Sequence, residues 1–163
     1  MSHGRRNSTI GSTLLGFFLL LPGCTPSLIP DTTVPDTAEN REICQIMERY
    51  RRAMEQRDVD ALRLLTSRRY FENASTTADP TDDWGYPELE KVLEELKTAV
   101  KMATYDIKIT RIHIDGRTAE VDYEYTWNFQ YTDGEQDSWT RKTDVNRLSL
   151  MKDGAEWKIV AGM

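Results

Sequence analysis

The chain has 163 residues, 39% of them hydrophobic and 29% charged, with 27 acidic against 21 basic side chains and a formal charge of -6. That composition fits one soluble globular domain rather than a disordered chain. The acidic balance, without any Lys/Arg-rich run, excludes a general nucleic-acid binder and electrostatic docking on anionic lipid. Two cysteines and two histidines are too few for a Cys/His zinc site, and neither a metal nor a cofactor is expected.

The first 23 residues differ in kind from the rest. Arg5 and Arg6 open a stretch with no acidic residue, and an apolar run follows from Ile10 to Leu21. At about a dozen residues the run is shorter than the ~20 needed to cross a bilayer as a helix, and it reads as the core of a secretory signal. Leu21-Pro22-Gly23-Cys24 then resembles the bacterial lipobox. The resemblance implies cleavage before Cys24, acylation of Cys24 on its sulfur and new amino group, and a membrane contact made by lipid. An ordinary secretory signal with Cys24 incidental is the alternative. Thr25 stands where some bacteria use Asp for inner-membrane retention, so the expected place is the cell envelope, on the outer membrane or the surface. With Cys24 consumed, Cys44 is the remaining thiol; it falls in a predicted helix with no histidine near it, which favours a buried spectator over a reactive group.

Pro26, Pro30 and Pro35 alternate with small polar residues. They predict an extended, polyproline-type tether over residues 24–38, including Cys24, ahead of a folded domain over 39–163. Ile43, Met47, Tyr50 and Met54 recur at helical spacing within 39–54. Asp58 is the expected cap of a second helix ending near Ser67. Tyr70-Phe71 suggests a short strand. A polar loop follows over 73–85, in which Asn73-Ala74-Ser75 is a chance glycosylation match. Pro87 suits the first turn of a third helix with Leu89, Val92, Leu93, Leu96 and Val100 on one face.

After Lys101 the apolar period changes from 3.6 to 2. Tyr105, Ile107 and Ile109 alternate, then Ile112 and Ile114 resume out of phase, which predicts a bulge near Thr110-Arg111. Asp115-Gly116 is a tight-turn signal. The next strand carries Ala119, Val121, Tyr123, Tyr125, Trp127, Phe129 and Tyr131 on one face and the acidic Glu120, Asp122 and Glu124 on a solvated other face. Asp133-Gly134 turns into a strand over 136–151, and Asp153-Gly154 into a last one with Trp157, Ile159 and Ala161. The expected fold is α+β: three N-terminal helices packed on a curved, mainly antiparallel four-stranded sheet.

Four stretches in this order, Tyr50-Arg-Arg-Ala-Met-Glu-Gln-Arg-Asp58, Val59-Asp-Ala-Leu-Arg-Leu-Leu-Thr-Ser67, Tyr70-Phe71 and Arg147-Leu-Ser-Leu through Asp153-Gly-Ala-Glu-Trp157-Lys-Ile159, resemble the nuclear transport factor two-like superfamily. That is the cystatin-like cone shared by ketosteroid isomerases and SnoaL-like cyclases. The resemblance implies a fold more than an activity, since the cone hosts enzymes, binding modules and dimerisation domains. In the isomerases a Tyr of the first helix and an Asp of a late strand hold the developing oxyanion while a carboxylate beyond the second helix moves a proton. Tyr50 matches the Tyr and Asp144 roughly matches the Asp. The base position falls on Ala74, with Glu72 the nearest carboxylate, two residues short. Each has a plain structural reading too: Tyr50 as a core aromatic, Asp144 as a surface partner of Lys142 or Arg147.

The candidate pocket is therefore Tyr50, Tyr123, Tyr125, Trp127, Asp144 and Asn146. His113 lies in a strand and offers no Ser/His or Cys/His machinery. The expected function is a lipid-anchored, non-catalytic module that binds a small amphipathic ligand or an envelope protein, with a homodimer as a third kind of partner. The alternative is an isomerase, cyclase or hydrolase acting on a small hydrophobic carbonyl compound through Tyr50, Asp144 and Glu72.

Overall fold

The computed structural model describes Met1 and residues 27–73, 80–133 and 136–163. The secretory signal, Cys24 and the start of the expected tether lie outside the described residues, as do Ala74, Ser75 and Gly134. Helix α1 spans Ala38–Gln56, α2 Val59–Leu65 and α3 Tyr86–Ala99; strands β1 Phe71–Glu72 and β2 Trp84–Gly85 form a two-stranded pair. The main sheet is an antiparallel meander in the order β3 Val100–Asp115, β4 Thr118–Asp133, β5 Gln136–Asp153 and β6 Glu156–Ala161. This is the expected α+β arrangement.

Local chemistry sets the helix ends. The Thr37 hydroxyl accepts from Asn40 N–H to start α1, and Arg57 at φ 54° ends it in the left-handed region. The Asp58 carboxylate accepts from Ala61 N–H to start α2, and Glu88 accepts from Gly85 N–H to start α3. Ile43, Ile46, Met47, Tyr50 and Ala53 form the buried stripe of α1. Arg63 ties α2 to α3 through Glu90 at 2.7 Å and Glu94 at 2.6 Å. The expected bulge is present between Ile109 and Arg111. It lets Tyr105, Ile109, Ile112 and Ile114 turn toward one core with Tyr123, Val121 and Ala119 of β4, Leu148 and Leu150 of β5, and Trp157 and Ile159 of β6.

Two expectations are corrected. The tether does not extend through residue 38. Between Ser27 and Thr37 the chain folds back: Ile29 N–H donates to Val34 O at 2.9 Å, Asp36 N–H to Ser27 O at 2.7 Å, and the Thr33 hydroxyl to Thr110 O at 2.6 Å on the bulge of β3. Val34, 1% exposed, belongs to the core. Burying its isopropyl group outweighs the solvated extended state that its proline-rich surroundings would otherwise favour. Second, residues 73–85 are not all loop. Trp84-Gly85 pairs with Phe71-Glu72, and Trp84 packs on Tyr70 with ring centroids 5.5 Å apart. Strands of two residues leave no period to read.

The strands outrun the helices. Sixteen residues of β4 at ~3.3 Å each reach about 50 Å, whereas the 14 of α3 at ~1.5 Å each cover about 21 Å. Accordingly Tyr123 is buried, but Tyr125, Trp127, Phe129 and Tyr131 on the same face are only half-buried.

Candidate functional site

Where α1, α3 and the sheet diverge, they enclose a mainly apolar cavity of about 340 Å³. Tyr50 and Met54 line it from α1, Leu89, Leu93 and Leu96 from α3, and Trp127 from β4, with Met163 on the far wall. Val92 and Glu95 sit on the exposed side of α3 and form the mouth. Such a shape, apolar walls with few polar groups, is that of a small-molecule site.

Tyr50 is the polar group of the inner wall, 2% exposed. Its ring meets Tyr105 edge-on at 6.0 Å, and the Tyr50, Tyr105 and Tyr123 hydroxyls interact with one another. Burial, reinforced by the neighbouring phenols, pushes Tyr50 well above the ordinary tyrosine range, and burial raises Tyr105 and Tyr123 as well. The three stay neutral, so they can donate hydrogen bonds but do not act as anions. Asn146 anchors the cluster by donating from Nδ2 to Tyr123 Oη at 3.2 Å and to Gly162 O at 2.9 Å. The buried indole Nε1 of Trp127 has no acceptor among the described residues, a donor left over in the wall of an apolar cavity.

The remaining candidates are dispersed. Asp144 lies opposite Tyr125 in the register, on the concave face as parity predicts, but beyond the helices: its side chain is 55% exposed and stands 3.9 Å from Lys142. It is not among the residues that line the cavity with Tyr50. Parity selects the face of a strand, and it does not say what covers that face. Glu72 is drawn inward, as a two-residue shift allows, yet its Oε2 already accepts from Gly162 N–H at 2.7 Å and lies 3.4 Å from Tyr70 Oη, which itself accepts from Met163 N–H at 2.9 Å. The carboxylate fastens the 162–163 segment and is not on the cavity wall. Tyr125 lies along the aromatic ladder under the Lys142 ammonium, 5.7 Å from its ring centroid.

Sequence reading missed Met54, Glu95 and Met163. The helical periods of α1 and α3 gave Met54 and the leucines as core, without signalling that the two stripes splay apart around a void. Glu95 is the one carboxylate among the described lining residues. Cys44 is half-buried beside a separate open groove between α1, α2 and β6; burial pushes its thiol up, the reverse of an activated nucleophile. No group of His, Cys, Asp and Glu suited to a metal ion occurs among the described residues, and no described helix is long and apolar enough to cross a membrane.

Comparison with solved structures finds the same architecture at low identity. A conserved protein from Planctomyces limnophilus is 14% identical with a TM-score of 0.64, over 77% of this chain and 93% of that one. A nuclear transport factor 2-like superfamily protein from Salmonella enterica is 17% identical with a TM-score of 0.59, over 75% and 86%. One of unknown function from Pseudomonas putida is 18% identical with a TM-score of 0.57, over 78% and 85%. No curated protein matches the chain. The model of the SnoaL-like domain matches residues 43–162, from the first buried residue of α1 to the glycine that meets β5, and the chain belongs to that family.

Proposed function

We propose that the protein is a lipid-anchored binding module whose cone holds a small, mostly apolar molecule carrying a hydrogen-bonding group. The observation that carries this reading is the composition of the cavity: leucines, Met54 and Trp127 around one buried neutral phenol, with both candidate carboxylates, Asp144 for the oxyanion and Glu72 for the proton, off its wall. Tyr50 and the Trp127 indole supply the polar recognition, and apolar area supplies the affinity at ~25 cal/mol per Å² buried. The lipobox at Cys24 supports anchoring in the cell envelope with the domain facing solvent.

The neutral dye N-phenyl-1-naphthylamine provides the test, because its fluorescence rises on entering an apolar pocket. Titration into the protein should saturate. Ala99→Trp, at an exposed position on the cavity rim, should weaken binding at least about tenfold (~1.4 kcal/mol) with unchanged thermal stability. Equal binding by both proteins would end the proposal. For the anchor, Cys24→Ser should move the protein from the membrane fraction to the soluble one.

The interacting hydroxyls of Tyr50, Tyr105 and Tyr123 favour a second reading, an isomerase or dehydratase that polarises a carbonyl at Tyr50; the superfamily includes such enzymes beside ligand binders. It requires turnover of an enolisable carbonyl compound that is lost in Tyr50→Phe.

A further inference from the structure

The rim of the cavity carries one charged group. Along α3, Val92, Glu95 and Ala99 follow one another at i, i+3 and i+7, so they form a single row beside the buried Leu89, Leu93 and Leu96. All three are exposed, and the Glu95 carboxylate stands between two apolar neighbours at the mouth. It is unpaired among the described residues, whereas Glu94 beside it is held by Arg63 at 2.6 Å. Neighbouring cations are engaged elsewhere. Lys91, one turn earlier, lies 3.9 Å from Glu88, the Arg57 guanidinium donates to Val100 O, and Lys101 is held by Asp137 at 2.6 Å. No Lys, Arg or His occurs among the described lining residues. Lys142, opposite Trp127 in the ladder, stays off the wall, over the Tyr125 ring and 3.9 Å from Asp144.

On the reading that the cavity is a binding site, we infer that it takes an amphiphilic cation, with an apolar body among the leucines and Met54 and an ammonium at its outer end against Glu95. Apolar walls leave a ligand's polar groups to be met at a few points. Within the cavity these are the Tyr50 hydroxyl and the unpartnered Trp127 indole N–H, both suited to an acceptor; at the mouth the point is Glu95, which accepts only. A neutral donor gains a hydrogen bond there, whereas an ammonium gains a charge-assisted one, about twice as strong. The flanking Val92 and Ala99 and the cavity beneath put low-dielectric material on the inner side of the carboxylate, where its attraction for a cation is screened less than in open water. The formal charge of -6 draws cations toward the protein and repels anions. A fatty carboxylate with the same tail brings like charges together at the rim.

Competition against N-phenyl-1-naphthylamine on the full chain at neutral pH tests this. Octylammonium and nonanoate share the same alkyl tail and carry opposite charges. Octylammonium should displace the dye at a concentration at least about fivefold lower than nonanoate, through a partly exposed attraction in one case and the matching repulsion in the other. Glu95→Gln should bring the two concentrations together to within about twofold, and Glu95→Lys should reverse their order. Equal displacement by both amphiphiles in the parent would overturn the cationic end while leaving the cavity a binding site. A preference that survives unchanged in both variants would overturn it too, because it would belong to the overall charge and not to Glu95. A dye that never saturates the parent would remove the cavity as a binding site, and the cation with it.

Discussion

Gly162 occupies a position that no side chain fits. Its φ of +92° is left-handed, and a Cβ would meet the Arg147 carbonyl oxygen at 1.9 Å and its carbon at 2.9 Å. The same residue gives its N–H to Glu72 and its C=O to Asn146, so it joins β1, β5 and the segment that carries Met163 into the cavity. Gly154 provides a contrast, with φ +63° and nothing within 4 Å of an added methyl group. Gly154→Ala should cost only the conformational penalty, ~1–2 kcal/mol. Gly162→Ala adds a backbone clash to that penalty and should cost more, with dye binding altered as Met163 moves. Urea unfolding of both variants measures the difference; equal losses would mean that the approach to Arg147 relaxes freely.

At the scale of elements, Ser27–Thr37 behaves as part of the domain. Val34 is fully covered, and the Thr33 hydroxyl bonds to the carbonyl that the bulge at Thr110 turns toward it. Val34→Ala removes two buried methyl groups at ~0.8 kcal/mol each and leaves a void, so a loss of about 2 kcal/mol is expected in urea unfolding. A free tether would lose nothing. This segment also shows where sequence reading stops. The periods of α1, β3 and β4 were legible because each repeats over several turns or alternations, and the phase break at Ile109–Ile112 located the bulge. The docking of Val34 is a single tertiary contact in proline-rich surroundings, and no local pattern encodes it. The site was legible to the same degree. Tyr50 and Trp127 sit on periodic faces and reach the cavity. Asp144 sits on the correct face but beyond the helices, because relative element length and placement, not parity, decide coverage.

For the whole molecule, the acidic balance sets its response to pH. Carboxylates held by guanidiniums link the secondary structures. Glu48 accepts from Arg51 at 2.8 Å and Arg52 at 2.6 Å, while Arg51 reaches across to the Tyr105 carbonyl on β3 at 3.2 Å. Asp122 on β4 is held by Arg147 of β5 at 2.6 Å and Arg111 of β3 at 2.7 Å. The Arg51 hydrogen bond is the main cause that brings Glu48 from 4.5 down to about 2, and the Arg147 bond is the main cause that lowers Asp122. A carboxyl with a depressed value in the fold contributes stability that is present above its unfolded value and disappears as pH falls through the folded one. Stability should therefore decline on acidification from about pH 4.5 toward pH 2, in the window Glu48 sets. The Glu48 side chain is 43% exposed, so solvent and salt screen the pair and its share is modest. Urea midpoints at pH 6 and pH 2.5 should differ less in Glu48→Gln than in the parent, and added salt should narrow the gap between the two proteins. An identical pH dependence in both would show that the Arg51 and Arg52 contacts to Glu48 contribute nothing to acid stability, leaving Asp122 and the other paired carboxylates to account for it.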